Sequence, residues 1–227
     1  MLSGRTKLVG IIGNPVAHLR SPAMHNAGFA ARGLDWAYVP LLVEDGRVED
    51  AVRGLGALGF AGANVTTPHK AAAAAASDTE LESVNVLVVR DGRVEGLSTD
   101  AAILDGLRPK QPVILGSGGA AAAFRVAMPS ARVFSRRGDW PPDVRGADLV
   151  VNATSEREDV LCTMAAGQTL IDLPYPETGT ARAALAAGAT VISGLEVLVA
   201  QGIAAFELWT GMPAPVEAMR AAVGLRP

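Results

Sequence analysis

Cysteine is almost absent from this chain: among 227 residues Cys162 stands alone, which excludes an intramolecular disulfide framework. The three histidines, His18, His25 and His69, have no cysteine or acidic partner at ligand spacing. No metal site is expected, and structural or solvent-facing roles are their ordinary reading. Aromatic residues make up only 4% of the chain, and Trp36, Trp140 and Trp209 need no role beyond packing. An excess of one charge is also missing: 20 basic against 23 acidic residues give a net charge of −3, with no long run of either sign. That excludes a nucleic-acid footprint or a polybasic membrane patch and leaves a small molecule as the expected partner. No apolar run is long and unbroken enough to span a bilayer, and the N-terminus lacks the basic region and apolar core of a secretory signal. A cytoplasmic protein is the expectation.

What is present is a βαβ rhythm. Lys7 to Ile12 reads as a strand, Pro22 to Ala31 as a helix and Trp36 to Val43 as a strand. Glu49 to Leu58 reads as a helix, Ala61 to Val65 as a buried strand, and Ala71 to Ala76 as a helix with Pro68 in its first turn. Val84 to Val89 and Arg93 to Leu97 flank Asp91-Gly92, a dipeptide suited to a tight hairpin because both positions tolerate positive φ. Asp100 to Leu107 reads as a connecting helix, and the Pro109 and Pro112 segment then breaks the pattern, so a domain boundary is expected there. Strands follow at Arg132 to Phe134, Asp148 to Asn152, Thr169 to Asp172 and Thr190 to Ile192. Two helices, Leu195 to Trp209 and Pro215 to Val223, end the chain with an apolar spacing that requires a partner surface.

Between these halves lies Val113 to Ala123, VILGSGGAAAA, an apolar strand running through glycines into an alanine-rich helix. Gly116 permits a tight turn, Gly118 and Gly119 let backbone approach a pyrophosphate, and a helix opening near Ala120 aims free N–H groups at the anion. A dinucleotide is the natural ligand of such a turn, although similar turns occur in loops that bind nothing. Reduction of a carbonyl by a nicotinamide leaves negative charge on oxygen and needs a proton donor beside it. Lys70, after Asn64-Val65-Thr66-Thr67-Pro68-His69, and Asp100, after Leu97-Ser98-Thr99, both stand at strand C-terminal ends, the edge where open α/β sheets bind ligands. Position alone leaves a solvated lysine and an N-cap aspartate open.

The segments GNPVAHLRSPAMHN, NVTTPHK, ESVNV, STD, GSGGAA, VVNATS, DLPY and GLEVLVAQG occur in this order. Together, from about Val9 to Gly211, they resemble the shikimate dehydrogenase family. The resemblance implies an α/β, two-domain protein: an N-terminal substrate domain over 1–107, completed by about 196–227, and an NADP-binding Rossmann-like domain over 108–195. It implies reversible NADP-dependent reduction of 3-dehydroshikimate to shikimate, within aromatic amino acid biosynthesis, with a homodimer left open. Lys70 and Asp100 become the catalytic pair, Lys70 exchanging the proton at the substrate oxygen and Asp100 orienting the amine. Ser21 is assigned to the substrate carboxylate, and Thr66, Asn85 and Gln201 to its polar groups, with Tyr175 near substrate and nicotinamide. Gly116, Gly118, Gly119 and Ala120 match the dinucleotide turn; Asn152, Thr154 and Ser155 line the cofactor cleft, and Gly194, which opens the last motif, is assigned to the cofactor with them. Arg136 and Arg137 follow the second Rossmann strand where no acid stands at the strand tip, which favours NADP over NAD.

The chain departs from the family's pattern at several positions. Leu19 stands where a Ser-x-Ser pair usually places a second hydroxyl at the carboxylate, and leucine donates no hydrogen bond. Val86, Ser98, Ala101 and Val197 also differ, and the segment from Arg137 to Asp148 holds Gly138, Pro141, Pro142 and Gly146 where a longer helical region is usual. Leu19 motivates an alternative substrate, such as quinate, aminoshikimate or another ring polyol. The compact nucleotide half motivates a non-catalytic binding protein that retains the cleft.

Overall fold

The computed structural model describes residues 2–226. The chain forms two compact units, Met1–Thr99 with Val199–Pro227, and Asp100–Leu198.

In the first unit, β1 (Lys7–Gly13), α1 (Ser21–Ala31), β2 (Trp36–Leu42), α2 (Val48–Ala57), β3 (Gly62–Val65), α3 (Lys70–Ala75), β4 (Val86–Arg90) and β5 (Arg93–Leu97) build one sheet and the helices beside it. The strand order is β2-β1-β3-β4-β5, parallel across the first three and antiparallel beyond. The order reverses direction between β1 and β3, so the C-terminal ends of those strands form the switch-point edge of this sheet. Asp91 and Gly92 turn the β4–β5 hairpin with φ of 51° and 77°, as their identities predict. Pro68, expected in the first turn of α3, lies ahead of it, because His69 caps the helix and Lys70 opens it.

The second unit carries β6 (Pro112–Leu115), α4 (Gly119–Ala127), β7 (Arg132–Phe134), β8 (Leu149–Asn152), β9 (Thr169–Asp172), α5 (Gly179–Ala186) and β10 (Thr190–Ile192). Its sheet runs β10-β9-β8-β6-β7 and is parallel throughout, with its switch point between β6 and β8. Both faces are covered, as a parallel sheet requires. Ile114, Val151 and Ile171 pack with Ala121 and Phe124 of α4 on one face. Val113, Leu115, Val150 and Leu170 pack on the other with Ala181 and Ala184 of α5 and with Val144, Leu161, Cys162 and Met164 from irregular chain. The helix expected over Asp100 to Leu107 is a correction: only Ala102–Leu104 form a single 3-10 turn. Gly106, at φ 78°, ends the run too early for an α-helix, and Ile103, Leu104 and Leu107 pack instead on the α4 face of the second unit.

Two helices close the chain, α6 (Gly194–Thr210) and α7 (Val216–Ala222). From Val199 onward they belong to the first unit, which gives their apolar faces a surface to pack on. Gly28 of α1 lies so close to them that an added Cβ would meet Met219 at 3.2 Å and Phe206 at 3.3 Å. Trp209 donates its indole N–H to the Leu87 carbonyl at 3.0 Å.

His25 sits inside this aromatic layer, fully buried and stacked on Tyr38 at 4.6 Å between ring centroids, with Trp209 at 5.3 Å. Neither ring nitrogen has a hydrogen-bond partner, and burial pushes its pKa down to about 3. The unfolded chain therefore takes up a proton below about pH 6.5 that the folded chain refuses until about pH 3, so stability falls as pH falls through that window. Between pH 7 and pH 5 the parent should lose about 2 kcal/mol more unfolding free energy than His25→Phe in urea titrations. Equal losses would show that the imidazole does not carry this pH dependence.

Candidate functional site

In the first unit, the predicted polar residues gather at the ends of β1, β3 and β5 and the start of β4. Thr66 follows β3 and donates its backbone N–H to the Ile12 carbonyl at 2.9 Å, while its γ-methyl lies where a Cβ on Gly13 would be, at 2.5 Å. Gly13 must therefore lack a side chain for Thr66 to sit at the switch point. Ser21, buried, is the first residue of α1. Lys70, half-buried, is the first residue of α3, and its carbonyl accepts from the Val84 N–H at 3.2 Å.

Asn85 forms the centre of a buried knot. Its Oδ1 accepts from the Thr99 backbone N–H at 2.7 Å, and its Nδ2 donates to Thr99 Oγ1 at 3.1 Å and to Gln201 Oε1 at 3.0 Å. Asn64, from the same NVTTPHK segment as Lys70, donates to the Asn85 carbonyl at 3.0 Å and accepts from the Tyr38 hydroxyl at 2.7 Å. Asn85 and Gln201, 116 residues apart, are thus brought together. Asp100 is 7% exposed and follows Thr99 directly. It is not a helix cap, since Ala101 holds that position of the 3-10 turn. The sequence reading did not single out Tyr38, Asn64 or Thr99 as members of this knot; Asn64 and Thr99 stand inside quoted motifs, and Tyr38 has no local signal.

In the second unit, β6 leads into Gly116, whose φ is 119°. A Cβ there would come within 2.8 Å of the Ala153 carbonyl oxygen, so glycine is required where the turns after β6 and β8 meet. Gly118 is the cap position of α4 and offers no side-chain cap, leaving the amides of Gly119, Ala120 and Ala121 to an outside acceptor; a Cβ at Gly118 would meet nothing within 4 Å. This open helix start at the sheet's switch point fits a pyrophosphate. Gly194 opens α6 against the Leu173 and Pro174 carbonyls, with no room for a Cβ. Tyr175 is half-buried in the same DLPY loop, and Ser155 is exposed.

Asn152 is fully buried and faces inward. It donates to Asp172 Oδ1 at 2.7 Å and accepts from the Thr154 hydroxyl at 2.7 Å, which fixes the turn that carries Thr154. Asp172 was not singled out from the sequence. Burial raises its pKa, while hydrogen bonds from Asn152 and Thr178 oppose the rise. Arg136 bonds to Glu156 at 3.1 Å and lies 3.5 Å from Asp159. His18 is exposed, and buried His69 lies 2.8 Å through Nε2 from the Val43 carbonyl. Among the described residues no group of three or more His, Cys, Asp or Glu is arranged to hold a metal ion.

Residues 11–87 match the shikimate dehydrogenase substrate binding domain, and residues 194–223 match the shikimate 5′-dehydrogenase C-terminal domain. The NADP(+) shikimate dehydrogenase of Anaeromyxobacter sp. strain K is 40% identical over 275 aligned positions, covering 100% of this chain and 99% of that one. The chain belongs to the shikimate dehydrogenase family. Among solved structures, the shikimate dehydrogenase of Aquifex aeolicus superposes with a TM-score of 0.88 at 27% identity, covering 99% of this chain and 100% of that one. The shikimate 5-dehydrogenase of Thermus thermophilus, solved with NADP(H) and shikimate, gives 0.83 at 29% identity, with 95% and 98% covered. The alignment of 275 positions against a chain of 227 residues means that this family member lacks internal segments its relative carries.

Gly116→Ala tests the turn. It should destabilise the chain by about 1–3 kcal/mol through positive φ and the Ala153 contact, and should weaken dinucleotide binding in a calorimetric titration. Unchanged unfolding and binding would show that this turn tolerates a side chain.

Proposed function

We propose that this chain catalyses the NADP-dependent, reversible reduction of 3-dehydroshikimate to shikimate, the first unit binding the substrate and the second the cofactor. The observation that carries this reading is the full-length similarity to an NADP(+) shikimate dehydrogenase in a chain that carries Lys70 at the start of α3, after β3, and Asp100 just after β5. NADP supplies or accepts the hydride when bound. Lys70 donates the proton to the oxygen that becomes negative as hydride arrives, and takes it back in the reverse direction. Asp100, anchored through Thr99 to the Asn85 knot, orients the lysine amine and shares the substrate hydroxyl. Thr66, Asn85 and Gln201 hold the ring by neutral hydrogen bonds, which discriminate against analogues that leave these groups unpaired. Ser21 binds the carboxylate, Tyr175 lies against the substrate, and the Gly116 to Ala120 turn holds the pyrophosphate with Thr154 and Ser155 beside it. The same reading assigns the protein to the cytoplasm and makes a homodimer the assembly to test by sedimentation.

One observation favours a second reading of the substrate. Arg20 could have replaced the hydroxyl lost at Leu19, but its guanidinium donates to the Val223 carbonyl at 3.3 Å, at the end of α7. With Arg20 drawn toward α7, the group beside Ser21 that would replace the lost hydroxyl is weakened, which favours a ring polyol that relies less on a carboxylate.

Turnover followed by reduced-nicotinamide absorbance separates the readings. Shikimate with NADP should be oxidised by the parent, with kcat falling about 10²- to 10⁴-fold in Lys70→Ala and strongly in Asp100→Asn while both remain folded. Activity retained in Lys70→Ala would overturn the assigned role. Leu19→Ser should lower the KM for shikimate about tenfold at unchanged kcat, because a restored donor binds ground and transition states alike. A parent that prefers quinate or another ring polyol, and is indifferent to Leu19→Ser, would favour the second reading.

A further inference from the structure

The adenosine half of the nucleotide site is built within the second unit. The Gly116 N–H donates to the Phe134 carbonyl at 2.8 Å, so the residues that follow β7 stand beside the glycine turn. In Rossmann-like sheets the group that reads the ribose 2′ position lies about twenty residues beyond that turn, at the tip of the second strand. Ser135, Arg136 and Arg137 occupy that place.

Arg136 is already engaged by acids of the neighbouring loop. Its Nη2 lies 3.1 Å from Glu156 Oε2 and 3.5 Å from Asp159 Oδ2, and its guanidinium lies 5.9 Å from the Trp140 ring. Glu156 is itself fixed in place: Oε1 accepts from the backbone N–H groups of Arg157 at 3.0 Å, Glu158 at 3.2 Å and Asp159 at 3.4 Å. Those amides, with Glu158 foremost, hold its carboxyl below the usual range, so it is an anion at neutral pH. An exposed arginine–glutamate pair normally contributes little because both side chains must be ordered. Here one partner is ordered by its own loop, so the pair serves to direct Arg136. Arg137 makes no ion pair among the described residues.

Resting on the reading of this unit as the cofactor domain, we propose that Glu156, assisted by Asp159, sets the cofactor preference by holding Arg136 in an ion pair that a ribose 2′-phosphate must displace. The phosphate offers the guanidinium a stronger, bidentate acceptor than a single carboxylate oxygen. Its gain is reduced by the bond it breaks and by repulsion from Glu156. A cofactor without the phosphate meets neither effect and leaves the pair intact. Glu156 thus narrows the margin between NADP and NAD.

Calorimetric binding of 2′,5′-ADP and 5′-AMP tests this without turnover. Glu156→Gln keeps an acceptor for the three loop amides and removes the charge; it should tighten 2′,5′-ADP about fivefold and change 5′-AMP less than about twofold. The gain should vanish in the Glu156→Gln/Arg136→Gln double variant, measured against Arg136→Gln, with thermal unfolding confirming that each variant is folded. A gain that persists without Arg136, or equal changes for both nucleotides, overturns the proposal while the dinucleotide reading stands. A parent that binds neither nucleotide brings down both.

Discussion

The Asn85 side chain is the constraint on which the substrate half depends. It is 2% exposed, and an amide buried to that degree is costly unless its donors and acceptors are met. They are met by Thr99 and Gln201, which lie in the segment after β5 and in α6. The neighbouring Val84 N–H holds the Lys70 carbonyl, so two consecutive residues of one strand entry fix the start of α3, the residue before Asp100, and the helix that returns from the far end of the chain. Breaking the knot would leave several buried polar groups without partners at once, which is why such networks behave as a unit. The Tyr38 hydroxyl and Asn64 extend it to the aromatic layer, where His25 stacks on the same tyrosine. The residues assigned to substrate are thereby fixed by the core packing of α1, α6 and α7.

Much of this was legible in the sequence wherever local chemistry decides the outcome. Asp91-Gly92 specifies its hairpin because few residues accept positive φ in succession. The glycine turn after β6 was legible because a Cβ at Gly116 has nowhere to go. The strands Arg132–Phe134, Thr169–Asp172 and Thr190–Ile192 stand where apolar runs of that length predict them. Tertiary context took over elsewhere. Residues 100–107 have helical spacing, yet the stretch before Gly106 is short and its apolar side chains find a better surface on the α4 face. Asp172 reads locally as the last residue of a strand; only the fold sets it against Asn152 and Thr178. Asn152 reads as a cleft residue because of its motif; the structure has it fully buried, where it holds the turn that carries Thr154.

The second unit covers one face of its parallel sheet largely with irregular chain. Between β7 and β8 no helix forms, and Gly138, Pro141, Pro142 and Gly146 explain why: four helix-breaking residues in so short a span leave no uninterrupted turn. A bare sheet face would expose Val113, Leu115, Val150 and Leu170. Instead Val144 and Ala147 from that segment join Leu161, Cys162 and Met164 from the segment after β8, with Trp140 packed at the margin. Cys162 serves there as a small apolar side chain, its thiol pushed up to about 11 by burial and so unreactive as a thiolate.

The same economy governs the segment that carries Arg136. Irregular chain follows the edge strand β7, so Arg136 departs from a loop with no helix behind it to orient its side chain. At its start the loop is held by the Ser135 N–H bonding to the Asp139 carbonyl, by the Gly138 N–H bonding to the Ser135 carbonyl, and by Arg136 reaching across to the loop after β8. Glu156 is the more rigid member of that pair, because backbone amides hold its carboxylate whatever Arg136 does. A guanidinium with no helix to direct it settles on the nearest fixed anion. In a chain with a helix after β7, the arginine's direction would be set by the helix; here Arg136 is held by an acid on the opposite loop.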